Sequence, residues 1–281
     1  MAASQKTLNI IGAGKVGRVF GRLFARHGVF LVQDILTRSM PSASAAADFI
    51  GVGRAVASLA DLHAADVYML AVGDDQIAAC CAALAATGLL RPGDIVFHCS
   101  GALSSHDLQA AANCGATRAS MHPVRSFADP EQVAATFANT YCSLEGDPCA
   151  VALLTGALAA IGAQSVAIDA AAKTLYHAAS VFASNYLTTL IDTALRAYVA
   201  AGIPEQEARL LAQPLVAGTL DNIFRLGPAA ALTGPIARGD WATVAKQQTA
   251  VDAWDSAAGD LYRELVHATK GLTQRKAGTT G

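Results

Sequence analysis

Short apolar runs alternate with longer Ala-rich stretches over residues 1–169. Runs at 7–11, 30–36, 66–72, 94–99, 117–122, 141–145 and 165–168 predict strands, several almost wholly apolar, as strands covered on both faces must be. Stretches at 15–27, 77–86 and 148–161 carry the helices between them, and Gly73, Arg91-Pro92-Gly93 and Gly162 punctuate the connections. The rhythm predicts an α/β domain with a doubly wound, Rossmann-type parallel sheet over 1–169. From Ala170 to Ala201 no glycine or proline interrupts the chain, which predicts one long helix of about 30 residues, well beyond the usual length. Helical stretches at 205–225, 240–251 and 253–269 follow, so residues 170–281 are expected to form an all-helical domain for substrate binding or dimerisation, ending in a frayed tail from Arg275.

Composition narrows the class. The 281 residues hold 20 Lys and Arg against 22 Asp and Glu and are 53% hydrophobic, so the chain has the means to build a core without disulfides or a structural metal. A near-neutral balance without a basic block argues against nucleic acid. The most apolar stretch, 151–163, is too short for a membrane span, and the apolar residues near the N-terminus run straight into glycines, which leaves no secretory signal. Six cysteines without a C-x-x-C fit free thiols in a reducing compartment. The expected setting is cytoplasmic, with no metal site, and the broad apolar surface of the long helix points to a homodimer.

The strongest chemical signal is Gly12-Ala13-Gly14-Lys15-Val16-Gly17, directly after a predicted strand and opening a predicted helix. There Gly12 makes the tight turn, Gly14 lets the backbone approach a pyrophosphate, Gly17 lets helix and strand close up, and the free amides of the helix N-terminus hold phosphate. An NAD site typically places a carboxylate about 20 residues further on. Here that position reads Thr37-Arg38-Ser39, whose guanidinium and hydroxyls suit a 2′-phosphate and predict NADP, while Asp34, three residues earlier, is the alternative ribose ligand.

Further along stand His98-Cys99-Ser100-Gly101, His122-Pro123 with Ser126-Phe127, Lys173 with Tyr176-His177 and Asn185, and Leu232-Thr233-Gly234-Pro235 with Arg238-Gly239-Asp240. With the glycine motif and Thr37-Arg38-Ser39, these cover nearly the whole chain. The sequence resembles Rossmann-like NADP oxidoreductases of the deazaflavin-dependent reductase type, in the subgroup with an uncharacterised helical C-terminal domain. The resemblance implies a helical domain similar to those of 6-phosphogluconate dehydrogenase, ketopantoate reductase and pyrroline carboxylate reductase. It brings no substrate. Such proteins often read valine-proline-aspartate after the third of these strands, where this chain has Val72-Gly73-Asp74, a looser loop over the cofactor.

Ligands of open α/β sheets bind at the carboxyl ends of the strands, which places Ser100, Gly101 and His122 beside the nicotinamide. His122, with an ordinary pKa near ~6.5, suits proton transfer at neutral pH. Cys99 reads as a packed thiol. On the long helix Lys173, His177, Ser180, Ser184 and Thr188 form one polar stripe at about 100° per residue. In related dehydrogenases a lysine near the start of this helix donates a proton to the developing alkoxide, with a polar partner one turn on, as Lys173 and His177 would. Arg238 is either a clamp for a substrate anion or a partner of Asp240 in a helix cap. The leading function is an NADP-dependent oxidoreductase that moves hydride to or from a small carbonyl or imine compound held between the domains. Lys173 or His122 handles the proton, Ser100 and His177 orient the reacting group, and Ser184 and Arg238 contact substrate. The alternatives are an inactive NADP(H)-sensing binding protein and a ketopantoate or pyrroline carboxylate reductase proper.

Overall fold

The computed structural model describes residues 5–278. Eight strands form one sheet in the order β3-β2-β1-β4-β5-β6-β7-β8. They are β1 (Thr7–Ile11), β2 (Leu31–Leu36), β3 (Arg54–Val56), β4 (Val67–Leu70), β5 (Ile95–His98), β6 (Thr117–Pro123), β7 (Tyr141–Gly146) and β8 (Gln164–Ala167). Neighbouring pairs are parallel except β6 and β7, which run antiparallel, so β7 and β8 reverse the direction of the other six. The sheet is thus the parallel-dominated, doubly wound one that the apolar runs predict, with a single antiparallel pairing at β6–β7 that they leave unmarked, because a strand buried on both faces carries no sign of its direction.

Side chains alternate across the sheet with a period of two. Val67 and Met69 of β4 enter one core with Leu8, Ile10 and Phe97, whereas Tyr68 and Leu70 enter the other with Ile11, Leu36 and Val96. Helix α1 (Lys15–Arg26) covers the first face with Val19, Phe20, Leu23 and Phe24. The sequence pattern does not mark the short β3, which pairs with β2 at the edge of the sheet, or α2 (Met40–Ile50) before it. Gly51, at φ +87°, ends α2 in the left-handed conformation that glycine adopts without strain. The first unit also holds α3 (Ile77–Ala86), α4 (Gln109–Asn113), α5 (Pro130–Ala135), α6 (Pro148–Ala160) and α7 (Lys173–Val181).

Asn9 and Asp34 show why polar residues interrupt apolar strands. The Asn9 Oδ1 accepts from the Asp34 amide at 3.1 Å where the β1–β2 register shifts, and its Nδ2 donates to the His63 carbonyl at 2.7 Å. Fully buried Asp34 accepts from Arg54 Nε at 2.8 Å and from the His63 amide at 2.6 Å. These donors hold its carboxyl below the ordinary carboxylate range despite burial, which pushes the other way.

The expected uninterrupted helix is broken by a π turn at Phe182–Tyr186, between α7 and α8 (Leu187–Ala200). The chain divides into two compact units, 1–184 and 185–281, inside that turn rather than at Ala170. The second unit contains α8, α9 (Glu205–Leu226), one-turn helices α10 (Pro228–Ala231) and α11 (Pro235–Arg238), α12 (Trp241–Trp254) and α13 (Ser256–Gly278). Helix α13 takes in most of the expected frayed tail, and residues 279–281 lie outside those described. No helix among the described residues is long and apolar enough to cross a membrane.

Candidate functional site

Two groups of side chains in the first unit have a chemistry that the fold alone does not require. The first lines a cleft of about 860 Å³ that holds Gly12, Gly14, Arg18, Thr37, Arg38 and Ser42, with Val72, Gly73 and Cys80 also on its wall. Gly12 sits at φ +84°, and a Cβ there would meet Val72 Cγ1 at 2.6 Å. A Cβ on Gly17 would collide with the Gly12 carbonyl oxygen. Packing within the protein therefore demands both glycines. Gly14 differs: its φ is −67° and nothing stands within 4 Å of where its Cβ would be. It N-caps α1 without a side-chain acceptor, and the first turn has no acidic residue, so the open space at Gly14 leads to amides that no carboxylate claims. That arrangement fits a pyrophosphate.

Arg38 is exposed on the cleft wall, with Thr37 beside it. The Thr37 hydroxyl donates to the Ser39 carbonyl at 2.9 Å, and the Ser39 hydroxyl caps α2 by accepting from the Ser42 amide at 3.4 Å. The cleft lining therefore passes from Arg38 to Ser42 and omits Ser39. It also holds Arg18, whose Nη2 donates to the Ala13 carbonyl at 3.3 Å. Arg18 went unread in the sequence, although its place directly after Gly17 puts it on the first turns of α1. Asp34, the alternative ribose ligand, is taken up by Arg54 and His63 and does not line the cleft. Lys15 turns away as well, with its Nζ donating to the Ala128 carbonyl at 2.9 Å.

The second group joins the ends of β5 and β6 to the start of α7. Lys173, 1% exposed, donates from Nζ to the Ser100 carbonyl at 2.9 Å and to the Ser120 hydroxyl. Burial pushes its pKa down, and Glu145 and Asp74 pull it back up. The Ser100 hydroxyl accepts from the Ala102 and Leu103 amides at 3.1 and 3.0 Å, which shapes the turn after β5. His122 Nδ1 lies 2.9 Å from the Tyr176 hydroxyl. The rings of His122 and His177 meet edge to face at 5.5 Å. Gly101 packs against both: a Cβ there would approach His122 Nε2 to 2.8 Å and collide with His177 Nδ1. That Nδ1 is buried without a hydrogen-bond partner among the described residues.

Neutral-pH titration of His122 is the expectation that the structure corrects. Burial, with help from His177 and Lys173, pushes its pKa down to about 4, so the ring is neutral at pH 7. Cys99 is also driven away from reactivity, since burial pushes its thiol up.

The polar stripe divides where the helix changes pitch. Lys173 is buried and His177 and Ser180 are half-buried, while Ser184 in the π turn and Thr188 beyond it are exposed. A π turn inserts a residue into the helical count, so the 100° spacing of the stripe does not carry through it. In the second unit Arg238 is exposed at the end of α11, and Asp240 N-caps α12 by accepting from the Thr243 amide at 3.1 Å. Among the described residues no cluster of His, Cys, Asp or Glu could hold a metal ion.

No curated protein matches the chain. A protein of Thermotoga maritima, TM1727, has 29% identity and a TM-score of 0.73, with 96% of this chain and 99% of that one covered. The BF3122 protein of Bacteroides fragilis, at 20% identity and TM-score 0.77, covers 95% and 98%. A pyrroline carboxylate reductase of Plasmodium falciparum with NADP bound, at 12% identity and TM-score 0.61, likewise covers 95% and 98% and shares the fold. The deazaflavin-dependent type is not among these names. Residues 1–123 match the family described as a Rossmann-like domain, and residues 140–269 match a domain of unknown function, DUF2520.

Proposed function

We propose that this protein is an NADP-dependent oxidoreductase acting on a small carbonyl or imine compound. The observation that carries the reading is the contrast within the glycine motif: packing requires Gly12 and Gly17, whereas Gly14 opens on empty space beside uncapped helix amides. The NADP bound to the Plasmodium falciparum relative supports it. In this reading the amides of 13–17 hold the pyrophosphate, and Arg38, with Arg18, Thr37 and Ser42, holds a 2′-phosphate. A nicotinamide bound there supplies or accepts hydride.

The protein's own residues then place and protonate the reacting group. Ser100 shapes the turn that brings Gly101 under His122 and His177. The two imidazoles orient the reacting oxygen or nitrogen. Lys173 commits two of its three N–H donors to Ser100 and Ser120, and its charge favours negative charge developing nearby. With its pKa lowered by burial, it is the proton reservoir of the site. Ser184 and Arg238, which the fold leaves exposed, have no part in this reading. The apolar side chains that α9 exposes, among them Leu210, Leu211, Leu215 and Phe224, support pairing with a second copy.

The test is a pair of fluorescence titrations, NADPH against NADH, on wild type and Arg38→Ala. The expected result is selective NADPH binding that falls by at least roughly tenfold in the variant, the cost of one charge-assisted contact. Binding of neither nucleotide would overturn the proposal.

A further inference from the structure

Tyr176 holds no place in the chemistry above, yet its hydroxyl sits 2.9 Å from Nδ1 of His122 and the two rings meet edge to face at 5.6 Å. A neutral imidazole carries one proton, so whichever nitrogen accepts a hydrogen bond leaves the other as the donor. The half-buried Tyr176 hydroxyl has two polar neighbours: Ser143, which lowers the phenol's pKa as a donor to its oxygen does, and Nδ1 of His122 at 2.9 Å, the acceptor that remains for the phenol proton. His122 then keeps its proton on Nε2, the atom turned toward Gly101. Beside it, against the same glycine, lies the buried and unpartnered Nδ1 of His177. The absent side chain of Gly101 is what lets both nitrogens approach one spot.

We propose that Tyr176 is a positioning residue: its hydroxyl donates to Nδ1 of His122 and locks that ring in the Nε2–H tautomer, so that a hydrogen-bond donor and the Nδ1 of His177 face one small polar ligand above Gly101. The ligand class is a neutral carbonyl or hydroxyl group. A carbonyl oxygen accepts from His122 Nε2–H, and the corresponding alcohol also donates to His177 Nδ1. A protonated imine lacks the lone pair that Nε2–H requires. The inference rests on the reading of this corner as the place of the reacting group.

The experiment is long-range ¹H–¹⁵N NMR of the full chain labelled with ¹⁵N-histidine, which distinguishes a protonated ring nitrogen from a bare one. His98 is the internal reference. Its Nδ1 accepts from the Ser100 amide at 3.1 Å and its Nε2 lies 3.0 Å from the Ser104 carbonyl, so its tautomer is set independently of Tyr176. In the wild type, His122 is expected to show a protonated Nε2 and a bare Nδ1 at pH 7. In Tyr176→Phe its two nitrogen signals should move toward the averaged position of mixed tautomers, with the His98 signals unmoved. A bare Nε2 on wild-type His122 overturns the proposal even if the variant fails to fold, and so does a Tyr176→Phe protein whose His122 signals stay in place. NADPH titration of the same samples reads the cofactor separately, so loss of the oxidoreductase reading and loss of this one give different results.

Discussion

Lys173 Nζ donates to the Ser100 carbonyl across 73 positions of sequence, which ties the first residue of α7 to the turn after β5. A buried ammonium is expensive, and it persists here because carbonyl and hydroxyl oxygens replace part of its hydration. The same contact that places a charge beside the histidines also holds the turn that positions Gly101.

Replacing Lys173 by Met should therefore cost both stability and turnover. Two buried acceptors lose their donor, which is worth roughly 1–3 kcal/mol in urea denaturation. Once a substrate is in hand, kcat should fall by at least about tenfold, a threshold set below the roughly 10²–10⁴-fold that general acid–base catalysis usually contributes. A variant of wild-type stability would show that the two hydrogen bonds hold nothing in place.

The glycine motif predicts a separation of effects. Gly12→Ala should destabilise the fold, because its φ of +84° and the 2.6 Å approach to Val72 leave no relaxed position for a methyl group. Gly14→Ala should melt close to wild type but bind NADPH more weakly, because the only space its methyl takes is space for a ligand. Equal melting losses in both variants would count against the open cradle.

His122 predicts a pH dependence with a defined sign. Its folded pKa of about 4 lies below the ordinary 6.5, so the unfolded chain takes up the proton first as the pH drops. The stability linked to this ring is fully present above 6.5 and is lost as the pH falls toward 4. Between pH 7.5 and 5 the loss amounts to about 2 kcal/mol, an order-of-magnitude figure from the two pKa values. Urea denaturation of wild type and His122→Asn at both pH values should show a shallower fall in the variant.

Pairing through the helical unit predicts a dimer in sedimentation equilibrium. Leu211 and Leu215 are 50% and 62% exposed on α9, and Leu215→Glu placed in a dimer interface should shift the protein to monomer without loss of helical signal. A monomeric wild type at micromolar concentration would remove the proposal.

Much of this was legible in the chain. Local physics wrote the glycine turn, the strand–helix rhythm and the helical second half, because a φ of +84° or a doubly buried strand restricts which residues can stand there. Arg38 could be read by counting from the glycines. Arg18 carried no signal beyond its helical register, and the three-residue β3 was too short to show a pattern.

What the sequence by itself determined is the class of each segment and the residues available for chemistry. Only the tertiary structure decided their states and partners. Asp34 became an acceptor for Arg54 and His63 and does not line the cleft, and a π turn at Phe182–Tyr186 interrupts the helix along which the stripe is counted. His122 met Tyr176 across 54 residues and lost its neutral-range titration. The physical reason is common to all three: periodicity is set by neighbours in the chain, whereas protonation and hydrogen-bond partnership depend on burial and on groups brought together from distant positions.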